Sequence, residues 1–376
     1  MKIDTSLAAS EIIDSMNELL FLSDREGIIR HTNAHSCRIL GMDRAEIVNK
    51  TVGSLMRSEE SIEEVLSRIR ESGEKNTSIE VDFKSRDGID IPVRLSVSVV
   101  HDREGDTLAI VFVGFDLRET NELKKMQRIM EFEIEMAAQV QARLFNHTTP
   151  RDPSWDIDII YRPLARVSGD FYDFYESDNI LKGLSLFDVS GHGVSAGLIT
   201  MITRSMVFRK FRSMVDRPLE EVLSAINEEL IREIGRLDDY MTGILLRFTD
   251  GSVEYVNAAH PHIIQRHANG SMSVLDNILY DNRGPFLGMY DVVLKYKVQK
   301  FAIHPGDELL VYTDALTECL GGSKRRYGVD RLVSSFKSAP NGSAREILSH
   351  IVGEAERFTE GRGFADDLTA IILKRL

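Results

Sequence analysis

The chain has 376 residues, enough for two or three domains, and 43% of them are hydrophobic, so each domain can bury a core. Its net charge of −13 argues against a general nucleic-acid-binding protein, which needs a positive surface. The two cysteines, Cys37 and Cys319, do not have the spacing of a disulfide framework or a zinc site. With no signal peptide and no apolar stretch of about 20 residues, a cytoplasmic protein without a membrane span is expected.

Residues 10–116 are predicted to form a small mixed domain of short helices and antiparallel strands. The turn Arg86-Asp87-Gly88 joins two alternating segments and predicts a hairpin. In chain order we expect a helix, two strands, short helices and three strands, at residues 12–20, 20–22, 28–32, 33–40, 43–48, 62–69, 78–84, 91–100 and 107–115.

The order of these elements resembles the PAS family, and the resemblance covers residues 10–116. It implies a five-stranded antiparallel sheet with helices, and a role as a sensor and dimerisation module. The motifs that carry it are Asp24-Arg25-Glu26-Gly27-Ile28, Asn33, Leu40-Gly41, Ala45-Glu46-Ile47-Val48-Asn49-Lys50, Arg86-Asp87-Gly88 and Asp116-Leu117-Arg118-Glu119-Thr120.

We assign no cofactor to the PAS-like domain, and its ligand is unknown. Val52 stands where the photosensory branch of the family has its reactive cysteine, which argues against flavin photochemistry. His31 and His35 are potential haem ligands, although exposed or hydrogen-bonded histidines are the commoner case. Cys37 lies on a predicted helix and is interpreted as a small buried apolar residue.

Residues 117–146 are predicted to form a helical connector, because Leu117 to Phe145 contains no glycine or proline and is rich in helix formers. Apolar residues recur every seven positions, although Glu133 interrupts the second seam. The pattern favours a parallel coiled coil, and hence a homodimer, over the alternative of an amphipathic helix packed on one domain. The seam residues are Leu123, Met130, Ala137 and Leu144, with Met126 and Val140 in the second position.

The segment 151–376 contains four aspartates at the edges of apolar strands. Leu184 to Phe187 form a short apolar run that ends at Asp188, and glycines then turn the chain into a helix that begins near Val194. The other three acids lie in widely separated segments, at Asp170, Asp314 and Asp366.

Strands that end in acids can converge on one point when two sheets pack face to face. Four carboxylates in one pocket would repel and raise each other's pKa, and two divalent cations would neutralise them. Ligation by oxygen alone favours Mg²⁺ or Mn²⁺ over zinc, and a two-metal site activates water and clamps phosphoryl oxygens. Taken singly, each acid is better explained as a turn residue; the four together favour the metal site.

The motifs around these acids resemble those of the SpoIIE branch of the PPM metal-dependent serine/threonine phosphatases. The resemblance implies an αββα sandwich of two antiparallel sheets, and hydrolysis of phosphoserine or phosphothreonine by metal-activated water. The matching motifs are Ser168-Gly169-Asp170-Phe171-Tyr172-Asp173, Asp188-Val189-Ser190-Gly191-His192-Gly193, Asn257-Ala258-Ala259-His260-Pro261, Tyr312-Thr313-Asp314-Ala315-Leu316-Thr317-Glu318 and Asp366-Asp367-Leu368-Thr369.

The same resemblance implies a role for each acid. Asp188 would bridge the two metals, and the Val189 carbonyl would bind the first. The second metal would be bound, directly or through water, by Asp170, Asp314 and Asp366. Asp367 would support these ligands from behind.

A few positions depart from the family pattern or have weaker roles. Ala315 and Ala259 stand where the family usually has glycine, a change of one methyl group at each site. His192 is interpreted as a turn and capping residue rather than a general acid. Arg166 precedes the first acid and is a candidate phosphate contact.

The combination of domains resembles the stress-response phosphatases of bacterial partner switching, which implies a phosphorylated STAS-domain anti-anti-sigma protein as substrate. The main alternative is a catalytically silent signalling scaffold. A PAS-linked histidine kinase is disfavoured because His147 lies beyond the periodic part of the connector and no glycine-rich ATP lid follows. A cyclic-dinucleotide synthase would need a Gly-Gly-Asp/Glu-Glu-Phe signature, which the sequence lacks.

Overall fold

The computed structural model describes residues 11–57, 76–102, 104, 106–145, 148–191, 193–234, 240–275, 284–288, 295–322 and 324–376. The chain divides into two compact units, Met1–Met130 and Glu131–Leu376. The helix predicted at residues 62–69, together with His147 and His192, lies outside the described residues. Within the described part, no helix combines the length and the apolar character needed to cross a bilayer.

The N-terminal unit contains one antiparallel sheet, and it confirms the five predicted strands and the helices predicted at residues 33–40 and 43–48, whereas the helix predicted at 12–20 covers only residues 11–15 of the described part. The strand order is 2-1-5-4-3 along the sheet. Phe21, Phe83 and Phe112 lie in its core, because alternate residues of each strand face the helices. The elements are β1 (Leu19–Ser23), β2 (Ile29–Thr32), α1 (Ala34–Leu40), α2 (Arg44–Ile47), β3 (Asn76–Lys84), β4 (Asp90–His101) and β5 (Thr107–Asp116).

The connector is one helix, α3 (Arg118–Leu144), which crosses the boundary between the two units. Several of its seam residues are exposed in the single chain: Leu123 is 61%, Met126 66% and Met130 64% exposed. These side chains are therefore available to a partner, and the coiled coil remains a prediction.

The C-terminal unit is a sandwich of two five-stranded antiparallel sheets. Its elements are β6 (Trp155–Arg162), β7 (Asp170–Ser177), β8 (Ile180–Val189), α4 (Val194–Ser213), α5 (Leu219–Ile234), β9 (Met241–Thr249), β10 (Ser252–Ala258), β11 (Ile264–Arg266), β12 (Met272–Val274), β13 (Gln299–Ala302), β14 (Glu308–Tyr312), α6 (Ala315–Glu318), α7 (Gly328–Ser338), α8 (Ala344–Phe358) and β15 (Leu368–Arg375). The first sheet has the order β13-β10-β9-β8-β7 and the second the order β12-β11-β14-β15-β6.

Alternation along each strand separates the inner core from the helix-covered faces. On β8, Leu184 and Leu186 face the other sheet and pack in the core between the sheets. Phe171 and Phe187 face the opposite way and stack on each other, with ring centroids 5.2 Å apart, in the core beneath α4 and α5. The second sheet is covered in the same way by α7 and α8. This arrangement confirms the predicted αββα sandwich.

Candidate metal centre

Asp170 and Asp188 are direct cross-strand partners in the hairpin formed by β7 and β8. The strands are joined by Asp178-Asn179, both with positive φ (53° and 61°), as a two-residue type I′ turn requires. Counted from this turn, a regular ladder would place Asp170 opposite Phe187. A β-bulge two residue pairs from the turn, between Tyr175 and Glu176, shifts the register by one residue, so that both carboxylates stand on the inner face of the sheet.

The two carboxylates are close because of the kind of ladder position they occupy. The flanking pair is hydrogen-bonded, with Val189 N donating to Gly169 O at 3.1 Å. Asp170 and Asp188 therefore form a non-hydrogen-bonded pair, in which side chains approach most closely. Like charges directly opposite each other destabilise a sheet unless they are neutralised.

The second sheet supplies the other side of the site. Asp314 follows β14, and Asp366 and Asp367 precede β15. The β15 residue Thr369 and the residue before Asp314, Thr313, donate hydroxyl hydrogen bonds to Asp170 Oδ2, at 2.5 and 3.0 Å. The ends of both sheets therefore meet at Asp170, which begins β7 in the first sheet.

Burial and mutual repulsion raise the pKa of three of these carboxyl groups. The pKa of Asp170 lies well above its usual range, first because of burial and then because of the neighbouring Asp188. Burial likewise raises the pKa of Asp188, and Asp314 and Asp366 raise it further. Burial raises the pKa of Asp314 to about 6, with contributions from Glu318 and Asp366. The predicted acids are thus electrostatic neighbours.

These acids do not form a closed ligand set as they stand. Across the ranges the structure describes, no group of three or more Asp, Glu, His or Cys side chains is close enough to hold an ion. Carboxylates that no cation neutralises repel each other, and this repulsion disfavours the close approach that a metal-binding group requires. The donors nevertheless fit hard divalent cations, because they are all oxygens and because Asp170 Oδ1 is buried without a hydrogen-bond partner.

A main-chain carbonyl approaches the same region because residue 169 has no side chain. A Cβ at Gly169 would lie 2.9 Å from Val189 O and 3.2 Å from Gly191 O. After β8 the chain turns through Gly191 and Gly193, whose φ angles of 86° and 84° favour glycine. The Val189 carbonyl, which is predicted to bind the first cation, therefore lies next to the loop that carries Asp170.

Asp367, which the sequence predicts to support the metal ligands, is hydrogen-bonded to the main chain. Its two oxygens accept hydrogen bonds from Leu164 N and Gly169 N, each at 2.6 Å. Asp367 thus fixes the loop that leads into Asp170. This contact agrees with the supporting role inferred for it.

Gln141, near the end of α3, is a site residue that the sequence did not reveal. Its side chain is buried, donates to Ser168 O at 2.8 Å and to Thr200 Oγ1 at 3.0 Å, and accepts from Ser168 N at 3.0 Å. A Cβ at Gly197 would lie 2.0 Å from Val167 Cγ1, so α4 packs tightly against the same loop. The connector, the Asp170 loop and the helix after Asp188 are therefore joined at one amide. Gln141 lies outside the heptad seams, so the sequence pattern did not indicate a role for it in the site.

His260 supports the first sheet beside Asp188. Thr242, the cross-strand partner of Asp188 on β9, has its Oγ1 2.9 Å from His260 Nδ1. The Asn257 side chain accepts from His260 N at 2.7 Å and donates to His260 O at 2.9 Å. Burial lowers the pKa of His260 to about 3, so the ring is neutral. Ala259 adopts φ 55°, a backbone conformation that favours glycine.

The remaining candidates lie as follows. Arg166 pairs with Glu135 on α3, and its side chain is 64% exposed. Ala315 is buried at the start of α6, directly after Asp314. Val52 and Cys319 are buried, whereas Cys37, His31 and His35 are partly exposed.

Comparison with known families covers both units. Residues 183–376 match the sequence model described as stage II sporulation protein E (SpoIIE), and residues 9–117 match the model described as PAS fold. The phosphoserine phosphatase RsbU of Bacillus subtilis is 25% identical over 281 residues, which are 72% of this chain and 78% of that protein.

A second phosphoserine phosphatase of the same organism, RsbP, is 25% identical over 252 residues, which are 64% of this chain and 57% of that protein. The chain spans between 42% and 78% of the lengths of the curated relatives it matches. Among solved structures, the SiaA-PP2C domain of Pseudomonas aeruginosa superimposes with a TM-score of 0.57 at 18% identity, over 67% of this chain and 98% of that one. This likeness concerns the fold of the sandwich.

Proposed function

The chain belongs to the SpoIIE family, and on that premise we propose that it is a metal-dependent protein serine/threonine phosphatase regulated by a PAS domain. The observation that carries the proposal is the cross-strand pair Asp170–Asp188, which faces Asp314 and Asp366 from the other sheet. A buried pair of carboxyl groups either retains a proton or binds a compensating cation, and only the cation lets both groups stay ionised. Two curated relatives are named phosphoserine phosphatases, which supports the same reaction here.

Two divalent cations, Mn²⁺ or Mg²⁺, would be held by the acids of the site. Asp188 and the Val189 carbonyl, both at the end of β8, would hold the first cation, and Asp188 would be shared with the second. Asp170, Asp314 and Asp366 would hold the second, directly or through water. When bound, such cations supply a water that is nucleophilic at neutral pH and positive charge for the phosphoryl oxygens.

The protein's own groups hold this arrangement in place. Asp367 fixes the main chain at Gly169, and Gln141 fixes it at Ser168, so the Asp170 carboxylate enters the site from a rigid loop. The neutral ring of His260 holds the Thr242 hydroxyl beside Asp188. Support of this kind holds the main chain beside Asp170 and the hydroxyl beside Asp188 in defined positions.

The proposed substrate is a phosphorylated STAS-domain anti-anti-sigma protein. The combination of a PAS domain with a SpoIIE domain supports it, as does the similarity to RsbU and RsbP. The test is phosphate release with Mn²⁺ from phosphoserine, phosphothreonine and phosphotyrosine peptides, followed by candidate phospho-STAS proteins. We expect turnover of the first two peptides only, and equal turnover of phosphotyrosine would contradict the proposal.

Regulation is proposed to pass through α3. The helix continues from the PAS unit to Gln141, whose amide bonds to the loop before Asp170. Its exposed seam residues support a homodimer in which this helix pairs with its counterpart. Deletion of residues 1–120 should change the rate or the Mn²⁺ dependence, and unchanged values would refute the coupling. A monomer by light scattering at micromolar concentration would refute the dimer.

A further inference from the structure

We propose that Thr313 and Thr369 are positioning residues that leave Asp170 a single oxygen, Oδ1, for a divalent cation. The proposal rests on the proposed function, because it concerns the same site. Thr313 directly follows β14 and Thr369 lies in β15, both belonging to the second sheet, whereas Asp170 begins β7 in the first. The sequence motifs gave neither threonine a role beside the acids.

The contacts at Asp170 Oδ2 are specific. This oxygen accepts from Thr369 Oγ1 at 2.5 Å and from Thr313 Oγ1 at 3.0 Å. Both threonines are 0% exposed and Asp170 is 1% exposed, so bulk water does not compete for Oδ2. Thr313 Oγ1 also accepts from Thr369 N at 3.0 Å. The single hydroxyl hydrogen of Thr313 also has Asp367 O at 3.3 Å and Thr369 O at 3.4 Å within reach, and Asp170 Oδ2 at 3.0 Å is the nearest of the three acceptors.

The other oxygen of the same carboxylate has the opposite environment. Asp170 Oδ1 is buried and has no hydrogen-bond partner among the described residues, although its cross-strand neighbour is Asp188. A buried acceptor without a partner is costly unless a cation or donor occupies it. The two oxygens of Asp170 thus have separate roles, one held by the protein and one left for the ion.

This division has a consequence for metal choice. With Oδ2 held by two donors, Asp170 binds a cation through one oxygen only. Mg²⁺ requires nearly octahedral geometry from single oxygens, whereas Ca²⁺ takes six to eight oxygens and accepts bidentate carboxylates. The two hydroxyls therefore favour a small octahedral cation over Ca²⁺.

The test compares Thr369→Val, which removes the hydroxyl and keeps the branched shape, with Thr369→Ser, which keeps the hydroxyl. Binding of Mn²⁺ and of Ca²⁺ to the full chain is measured by calorimetry, without substrate. Loss of a residue that orients a metal ligand typically weakens metal affinity about 10- to 100-fold, so we expect that loss of Mn²⁺ affinity for the valine variant. We also expect a smaller preference for Mn²⁺ over Ca²⁺, and near wild-type values for the serine variant.

Thr359→Val is the matched control, because Thr359 is equally buried but its hydroxyl bonds Glu356 O, at 2.8 Å, at the end of α8. It should leave Mn²⁺ affinity unchanged. If Thr369→Val does not fold, Thr313→Val and Thr313→Ser provide the same comparison. Equal Mn²⁺ affinity in the valine, serine and wild-type proteins would overturn the inference alone. A folded wild type that binds no Mn²⁺ would overturn the proposed function as well.

Discussion

Gly169→Ala tests whether the approach of the Val189 carbonyl to the Asp170 loop matters. The added methyl group would lie 2.9 Å from Val189 O, 3.2 Å from Gly191 O and 3.4 Å from the Ala196 Cβ. An unstrained carbon–oxygen contact is about 3.3 Å or more, so the Val189 carbonyl must retreat by about 0.4 Å. Because both oxygens belong to the main chain, a side-chain rotation cannot relieve the clash.

The expected loss follows from overpacking. An extra methyl group in a well-packed region costs about 1–3 kcal/mol of unfolding free energy. For a urea slope of about 2 kcal/mol per M, the midpoint should fall by about 0.5–1.5 M. Mn²⁺ affinity should fall as well, because the displaced Val189 carbonyl is a proposed ligand of the first cation.

The chain offers a convenient probe and a matched control. Trp155 is the only tryptophan, and it is buried against Phe248 in the C-terminal unit, so its fluorescence reports on unfolding of that unit alone. Gly353→Ala adds the same methyl group inside α8, where the nearest atom is Arg357 Nη1 at 3.6 Å. This variant should gain about 0.5–1 kcal/mol from helix propensity. If Gly169→Ala matched wild type in both urea midpoint and Mn²⁺ affinity, the close approach would have no functional meaning.

Three further predictions concern pH, backbone strain and a buried ion pair. Burial raises the pKa of Asp314 to about 6. The stability that its protonated carboxyl group contributes to the metal-free protein is complete below about pH 4 and is lost as the pH rises through 6. Asp314→Asn should therefore become progressively more stable than wild type over this range, and the Mn²⁺ affinity of the wild type should rise with pH. Ala259→Gly removes the strain of a positive φ (55°), which is worth about 1–2 kcal/mol, but glycine adds about 0.5–1 kcal/mol of conformational freedom to the unfolded chain. The urea midpoint should therefore stay level or rise, and a clear fall would contradict the strain. Arg204→Met leaves the buried Asp173 carboxylate without its partner and should cost about 3–5 kcal/mol of unfolding free energy. Adding Asp173→Asn should recover a large part of that loss. A urea midpoint of Arg204→Met equal to that of the wild type would refute the pairing.

The residue types of the site could be predicted, because each acid stands beside an apolar strand or a glycine turn. The pairing of Asp170 with Asp188 could not. The turn Asp178-Asn179 sets a register that would oppose Asp170 to Phe187, and only the bulge within the hairpin corrects it. A bulge is a response to packing on both faces of the sheet, which the local sequence does not encode.

The supporting groups depend on contacts between distant segments. Asp170 and Thr369 are 199 residues apart, and Gln141 and Thr200 are 59 residues apart. Such contacts appear only when two sheets and a helix are packed together. The sandwich itself was implied by the resemblance of the motifs to the SpoIIE branch, whereas the alternation of apolar residues indicated only the individual strands.

The most direct test of the central claim is the initial rate of p-nitrophenyl phosphate hydrolysis by the full chain, measured against Mn²⁺ concentration for wild type and Asp188→Asn. We expect a wild-type rate that saturates with Mn²⁺ and is abolished by a chelator, and a rate at background for the variant, with Trp155 fluorescence showing that both are folded. A folded wild type without Mn²⁺-dependent turnover, or an Asp188→Asn variant with the wild-type rate, would contradict the assignment of Asp188 as the bridge of a two-metal phosphatase site.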